Sequence, residues 1–164
     1  MVVASLVIRK MMRADRVMIG EIGFRAWVSS DASADVDFDP SVIARTRRAF
    51  ETFASGTRAD VWVAQDGADV IGWGACDGAP NYISDLWVDP DHQRKGVGRC
   101  LLLHICGHLH AQGHQTAVIH TQARNSGAIN LYERCGFTIV WRGIEHSPSM
   151  GVDLDKVHLE KDLK

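Results

Sequence analysis

Between Tyr82 and Phe137 the sequence twice passes from an apolar, β-branched stretch into a helical pattern, and glycine stops each helix, at Gly113 and at Gly136. Tyr82–Val88 reads as a strand closed by Asp89-Pro90. The helix from about Gly98 to Gln112 builds its apolar face from Leu101, Leu102, Ile105 and Leu109. Ala117–Thr121 is a strand and Ser126–Arg134 a helix. Strand-helix-strand units of this kind make parallel neighbours, which need covering on both faces. Upstream, Val61–Ala64, the turn Asp66-Gly67-Ala68-Asp69 and Val70–Cys76 form a hairpin, because Asp-Gly supplies the positive φ angles of a tight turn. Ser5–Lys10 is a first strand. Ala14–Ser29 and about Val42–Phe53 are helices joined by the loop Ser30–Ser41, with Asp39 or Ser41 available as cap. Phe137–Trp141 and Val157–Leu163 close the chain as strands around a polar loop containing Pro148 and Gly151. The order βααβββαβαββ defines an α/β (α+β layered) class: a mixed, mostly antiparallel central sheet with helices on both faces. At 164 residues, positions 1–164 form a single domain.

Several functions are excluded early. A formal net charge of -2 lacks the positive field that draws a chain to nucleic acid. No run of about 18 apolar residues exists to span a membrane. The opening MVVASLVI carries its charges, Arg9 and Lys10, after the apolar stretch, so it does not read as a signal peptide. Cys76, Cys100, Cys106 and Cys135 contain no CxxC pair, which points to a reducing, cytoplasmic home. Cys100, His104 and His108 recur every four residues along the long helix and raise zinc as a ligand. Yet the HxxxH lacks a glutamate and no fourth ligand is placed, so no metal is expected.

Gln93-Arg94-Lys95-Gly96-Val97-Gly98 lies where a strand meets a helix N-terminus, and free amides there, with the positive end of the helix dipole, attract anions. Arg94, Lys95 and Arg99 add charge at the same end. A dinucleotide-binding GxGxxG would need glycine where Leu101 stands, and no P-loop Gly-Lys-Ser/Thr occurs. A bare GxG is equally compatible with a glycine-rich turn that binds nothing. The second junction separates the two readings. Asn125-Ser126-Gly127-Ala128-Ile129-Asn130-Leu131-Tyr132-Glu133-Arg134-Cys135-Gly136-Phe137, taken with Val88-Asp89-Pro90 and Gln93, Gly96 and Gly98, resembles the GCN5-related N-acetyltransferase (GNAT) superfamily. There a strand ending in V-D-P leads to (Q/R)xxGxG/A, and N-x-x-A-x-x-x-Y-x-x-x-G-F follows. The resemblance spans nearly the whole chain.

The resemblance implies the GNAT fold and an acetyl-CoA-dependent N-acetyltransferase that passes acetyl directly to a primary amine of a small molecule or peptide. Leu86, Trp87 and Val88 would lie along the pantetheine arm, bonded through the backbone of Leu86 and Val88. The pyrophosphate would rest on Gln93, Arg94, Lys95, Gly96, Val97, Gly98 and Arg99. The Val88 amide would face the thioester carbonyl. Tyr132 matches the family position that protonates the departing thiolate, though a helix tyrosine can also simply anchor the core. Asn125 contacts cofactor or caps its helix. The general base is Asp85, with Ser84 beside it to hold a water, or His120, or ordered water alone; several relatives carry glutamate at the position of His120. Glu145 and His146, in the late loop, are further candidates. Asp31, Asp35, Asp37 and Asp39 border the acceptor side, where they attract a cationic amine or form a solvated loop. Homodimers are frequent in the family. An acyl-CoA-binding sensor without turnover is the alternative reading.

Overall fold

The computed structural model describes residues 5–164. The elements are β1 (Leu6–Lys10), α1 (Arg16–Ser29), α2 (Pro40–Gly56), β2 (Asp60–Asp66), β3 (Asp69–Cys76), β4 (Tyr82–Ile83), β5 (Asp85–Val88), α3 (Val97–Ala111), β6 (Thr116–Gln122), α4 (Ser126–Arg134), β7 (Thr138–Ser147) and β8 (Val152–Asp162). Asp39 is the cap of α2: its carboxylate accepts from the Ser41 amide, and Pro40 sits in the first turn.

Two four-stranded sheets result, in the orders β1-β2-β3-β5 and β4-β6-β8-β7. The parallel contact is β4 with β6, Tyr82 opposite Val118; the remaining pairs are antiparallel. Two expected boundaries change. The strand expected over Tyr82–Val88 is broken at Ser84, so its first part belongs to one sheet and its second to the other. The last two strands are longer than periodicity indicates, 10 and 11 residues. The polar loop shrinks to the turn at 148–151, and Glu145 and His146 stand on β7 rather than in a loop. Edge position explains the second change. One side of β7 meets solvent, so ladder pairing rather than burial holds its polar residues in place.

Two apolar clusters sandwich the sheets. Ile19, Ile22, Trp27, Val42 and Phe50 from α1 and α2 pack on Val61, Val63, Trp73 and Ala75. Leu101, Leu102, Ile105 and Leu109 of α3 pack with Ile71, Ile119, Leu159 and Phe137 on the other face. The second helix layer comes very close to β3: a Cβ on Gly74 would stand 2.7 Å from the Ile105 Cδ1 atom. A side chain there must displace the end of Ile105 and crowd the Asp85 carbonyl at 3.1 Å.

Candidate active site

The break at Ser84 builds the site. Ser84 donates its amide to the Ala75 carbonyl at 2.9 Å, while Asp85 is the register partner of Ala75, so two residues face one and the strand bulges. Beyond the bulge β5 follows β3 and leaves β6, which opens a wedge between the sheets. At the far end the Asp89 amide donates to Ile71. Antiparallel alternation from that pair turns the N–H and C=O of Trp87 and Asp85 toward β3, and those of Leu86 and Val88 toward the wedge. Gln93 Nε2 takes the Val88 carbonyl at 3.1 Å, leaving the Val88 amide on the open edge.

That edge leads directly to the glycine turn. Gly96 adopts φ +84° ahead of α3, a left-handed conformation that glycine enters without strain, and a Cβ there would meet no protein atom. The first helical bond of α3 runs from the Cys100 amide to Gly96 O at 3.0 Å, so the Val97, Gly98 and Arg99 amides are the helix's unpaired donors. Arg94 and Arg99 are exposed beside them, while Lys95 Nζ bonds the Asp91 carbonyl. Gly98 has a different duty from Gly96: a Cβ would lie 3.1 Å from Leu131 Cδ2, so its smallness lets α4 pack against α3. The turn is tethered from behind. Buried Asp89 accepts from Arg25 of α1 at 2.9 Å and from the Asp91 amide at 2.9 Å. Nothing in the motif pointed to Arg25. An open strand edge ending in an amide cradle fits an extended pantetheine arm with its pyrophosphate at the helix terminus.

A cleft of about 420 Å³ continues from the wedge toward α1 and α2. Asp85, His120, Asn125 and Tyr132 all line it, so the candidate catalytic side chains come together. Tyr132 is 5% exposed, and among the described residues its hydroxyl has no hydrogen-bond partner. Burial first, then Tyr82 and Asp85, push that hydroxyl well above the ordinary phenol range. Burial likewise raises Asp85, against the bond it accepts from Trp87 Nε1 at 3.1 Å. The Ser84 hydroxyl is already engaged with the Ala75 carbonyl and the Asp77 amide. His120 is held down to about 4, first by burial, then by His158 and Lys156, with Glu145 pulling the other way.

The structure gives several of the residues singled out by sequence their own partners. Asn125 does not cap α4 with its side chain, which donates instead to Thr121 Oγ1 at 3.0 Å. Asp31 does that work across the fold, accepting the Gly127 amide at 2.8 Å, while Arg124 bonds the Ala34 carbonyl. The aspartate loop is thus docked on α4, with Asp31 and Asp39 committed to helix termini. The Cys100, His104, His108 row is not drawn together: His104 and His108 pack edge-on against Trp62, and His108 faces Asp60 at 3.3 Å. Trp87, expected along the cofactor arm, turns its indole onto Phe50 at 5.1 Å on the acceptor side.

An open β-edge, an amide cradle at a helix terminus and a tyrosine on the wall of the adjoining cleft define an acyl-CoA type of site on a split α/β sheet. The chain belongs to the acetyltransferase (GNAT) family, whose model matches residues 25–137. It is 48% identical over 53 residues to the [ribosomal protein bS18]-alanine N-acetyltransferase of Escherichia coli (strain K12), a match covering 32% of this chain and 36% of that protein. The crystal structure of the ribosomal-protein-S18-alanine N-acetyltransferase from Escherichia coli superposes with a TM-score of 0.70 at 22% identity, covering 97% of this chain and 94% of that one. A GCN5-related N-acetyltransferase structure from Rhodopseudomonas palustris reaches 0.78 at 18% identity, covering 99% and 98%.

Proposed function

We propose that the protein is an acetyl-CoA-dependent N-acetyltransferase acting on a primary amine, and that the amine belongs to a small molecule rather than a protein surface. The donor half of the reading rests on one observation: the free edge of Leu86 and Val88 runs into the amides of Val97, Gly98 and Arg99, with Tyr132 beside the path. Acetyl-CoA brings an activated thioester, so no enzyme nucleophile is required. The Val88 amide faces the position where the carbonyl oxygen gains negative charge. Tyr132, kept protonated by its surroundings, donates to the sulfur as the C–S bond breaks. Asp85 and His120 stand on the acceptor side. His120 is a neutral imidazole over most of the pH range and accepts the amine's hydrogen bond directly or through water. Asp85 is the deeper alternative, and its raised affinity for protons suits it to take one from an ammonium.

The choice of a small amine comes from the roof of the cleft. The turn between β7 and β8 leans on α2: Met150 is 4% exposed in the α1/α2 cluster, and the Arg45 guanidinium lies against Gly151. Trp27, Phe50, Phe53, Trp87 and Leu154 form apolar walls around the single acid among the lining residues, Asp85. Lys156 also lines the cleft and offsets that acid, so an amine that enters neutral on an apolar body suits the combination. Release of CoA thiol with a panel of small aryl- and alkylamines set beside N-terminal peptides is the test. Turnover with small amines supports the reading, and turnover with peptides alone overturns its acceptor half. A CoA-induced thermal shift without thiol release from any amine would make the chain a sensor instead.

A further inference from the structure

His120 is not an isolated imidazole. In the β6–β8 ladder it stands directly opposite His158, and their rings stack at 3.5 Å between centroids and 7° between planes. Tyr82 packs on His120 at 4.7 Å, and Trp141 on His158 at 4.4 Å. His158 Nε2 lies 2.6 Å from Glu145 Oε1, and Lys156 Nζ lies 3.6 Å from the other carboxylate oxygen. His120 and Lys156 line the cleft; His158 and Glu145 stand behind them.

From this geometry we infer that His158, packed between His120 and Trp141 with Glu145 close to its Nε2, is a positioning residue that sets the plane and the exposed nitrogen of the His120 imidazole toward the acceptor amine. The inference rests on the proposed role of His120 as hydrogen-bond acceptor for the substrate. A ring pinned on both faces has little freedom left to turn about its Cβ–Cγ bond, so its in-plane lone pair keeps one direction. Two imidazoles 3.5 Å apart resist carrying charge together, and the carboxylate lies against the far ring. The near ring keeps its lone pair. The groups facing His120 pull in opposite directions, with the balance against protonation: burial, then His158 and Lys156 of β8 oppose it and Glu145 of β7 favours it, while Tyr82 of β4 packs on its ring and Asp85 of β5 shares the cleft.

The same three side chains have donor atoms within 4.8 Å of one another, which invites a metal. The stack argues otherwise. Imidazole ligates along the ring plane, and two nearly parallel planes 3.5 Å apart do not share a point about 2.0 Å from both nitrogens. Positioning, not ligation, is what this arrangement does.

The test follows the His120 C2 proton by NMR, assigned through its loss in His120→Gln, across pH in wild type, His158→Phe and Glu145→Gln. His158→Phe keeps a stacked ring and removes the charge, so the His120 midpoint should rise by about half a pH unit or more. Glu145→Gln removes the attraction, so it should fall. His158→Leu removes the stack as well, and turnover should drop about tenfold with the KM for acetyl-CoA unchanged. Partial exposure of both side chains, 22% and 32%, favours folded variants, which circular dichroism checks. A midpoint that is the same in all three proteins, or that moves the same way in both variants, overturns the inference. Unchanged turnover in His120→Gln would instead remove the catalytic role of His120, and the NMR titration would still decide the clamp.

Discussion

Replacing Tyr132 by phenylalanine separates chemistry from stability in a way the structure quantifies. The hydroxyl has no protein partner among the described residues, so its removal orphans no donor or acceptor. The ring keeps its place 6.2 Å from Phe137, and folding stability should change by less than about 0.5 kcal/mol. If the hydroxyl protonates the leaving thiolate, turnover should fall by roughly 10²- to 10⁴-fold, which is about 3–5 kcal/mol in the barrier. The KM for acetyl-CoA should stay within about threefold, because the amide cradle is untouched. Thiol release at saturating amine gives the rate, and denaturant unfolding gives the stability. The wild-type enzyme should also show no alkaline loss of an acid below the ordinary phenol value of 10, since burial, Tyr82 and Asp85 all hold the proton on Tyr132. A donor thioester with a more acidic thiol should narrow the gap between the two proteins, because it leaves without help. Turnover of the phenylalanine variant within threefold of wild type, with the fold intact, refutes the acid role outright.

Other perturbations read other parts of the site. Gly96→Ala places a Cβ on a residue at φ +84° with no atom in its way, so its cost is backbone strain of about 1–2 kcal/mol in denaturant unfolding. The new methyl also points into the cradle, and CoA should lose its thermal shift at concentrations that saturate wild type. Asp31→Ala should lower stability by about 1 kcal/mol, with hydrogen exchange at the start of α4 rising first. For His120 the folded value lies near 4, below the ordinary 6.5. The unfolded chain therefore binds the proton first as pH falls. The wild-type stability advantage over His120→Gln should be constant above about pH 6.5 and shrink between 6.5 and 4. A difference curve that stays flat through that window contradicts the buried, neutral imidazole.

Much of the layout could be read from letters because the strongest signals are local. Period-2 and period-3.6 patterns, Asp-Gly and the helix-stopping glycines each act over a few residues, and they located the hairpin, α3, β6 and α4 closely. Leu86 and Val88 lie on the open edge of β5, Gly96 at the turn before α3 and Tyr132 on the wall of the cleft. What escaped depends on pairing between distant segments. Ser84 as a bulge is visible only once Ala75 is known to face two residues. Asp31 caps a helix from 96 residues away, and Arg25 holds the turn from 64. His158 fell within the expected strand Val157–Leu163, between two buried apolar neighbours, so its outward face was legible. Its partner across the ladder was not, because strand register is set by turns and packing rather than by the strand itself.

The bulge at Ser84 gives this protein an unusual kind of sensitivity. The wedge exists because one strand carries a residue more than its partner, so chain length at that point matters more than side-chain identity. Exchanging Ser84 for another small residue leaves the count intact. Deleting it leaves Asp85 alone opposite Ala75, so the strand loses its extra residue and with it the step that carries β4 to one sheet and β5 to the other, and the wedge closes. Among variants of this chain, indels at this point are therefore far more damaging to function than substitutions, even where the apolar core tolerates them.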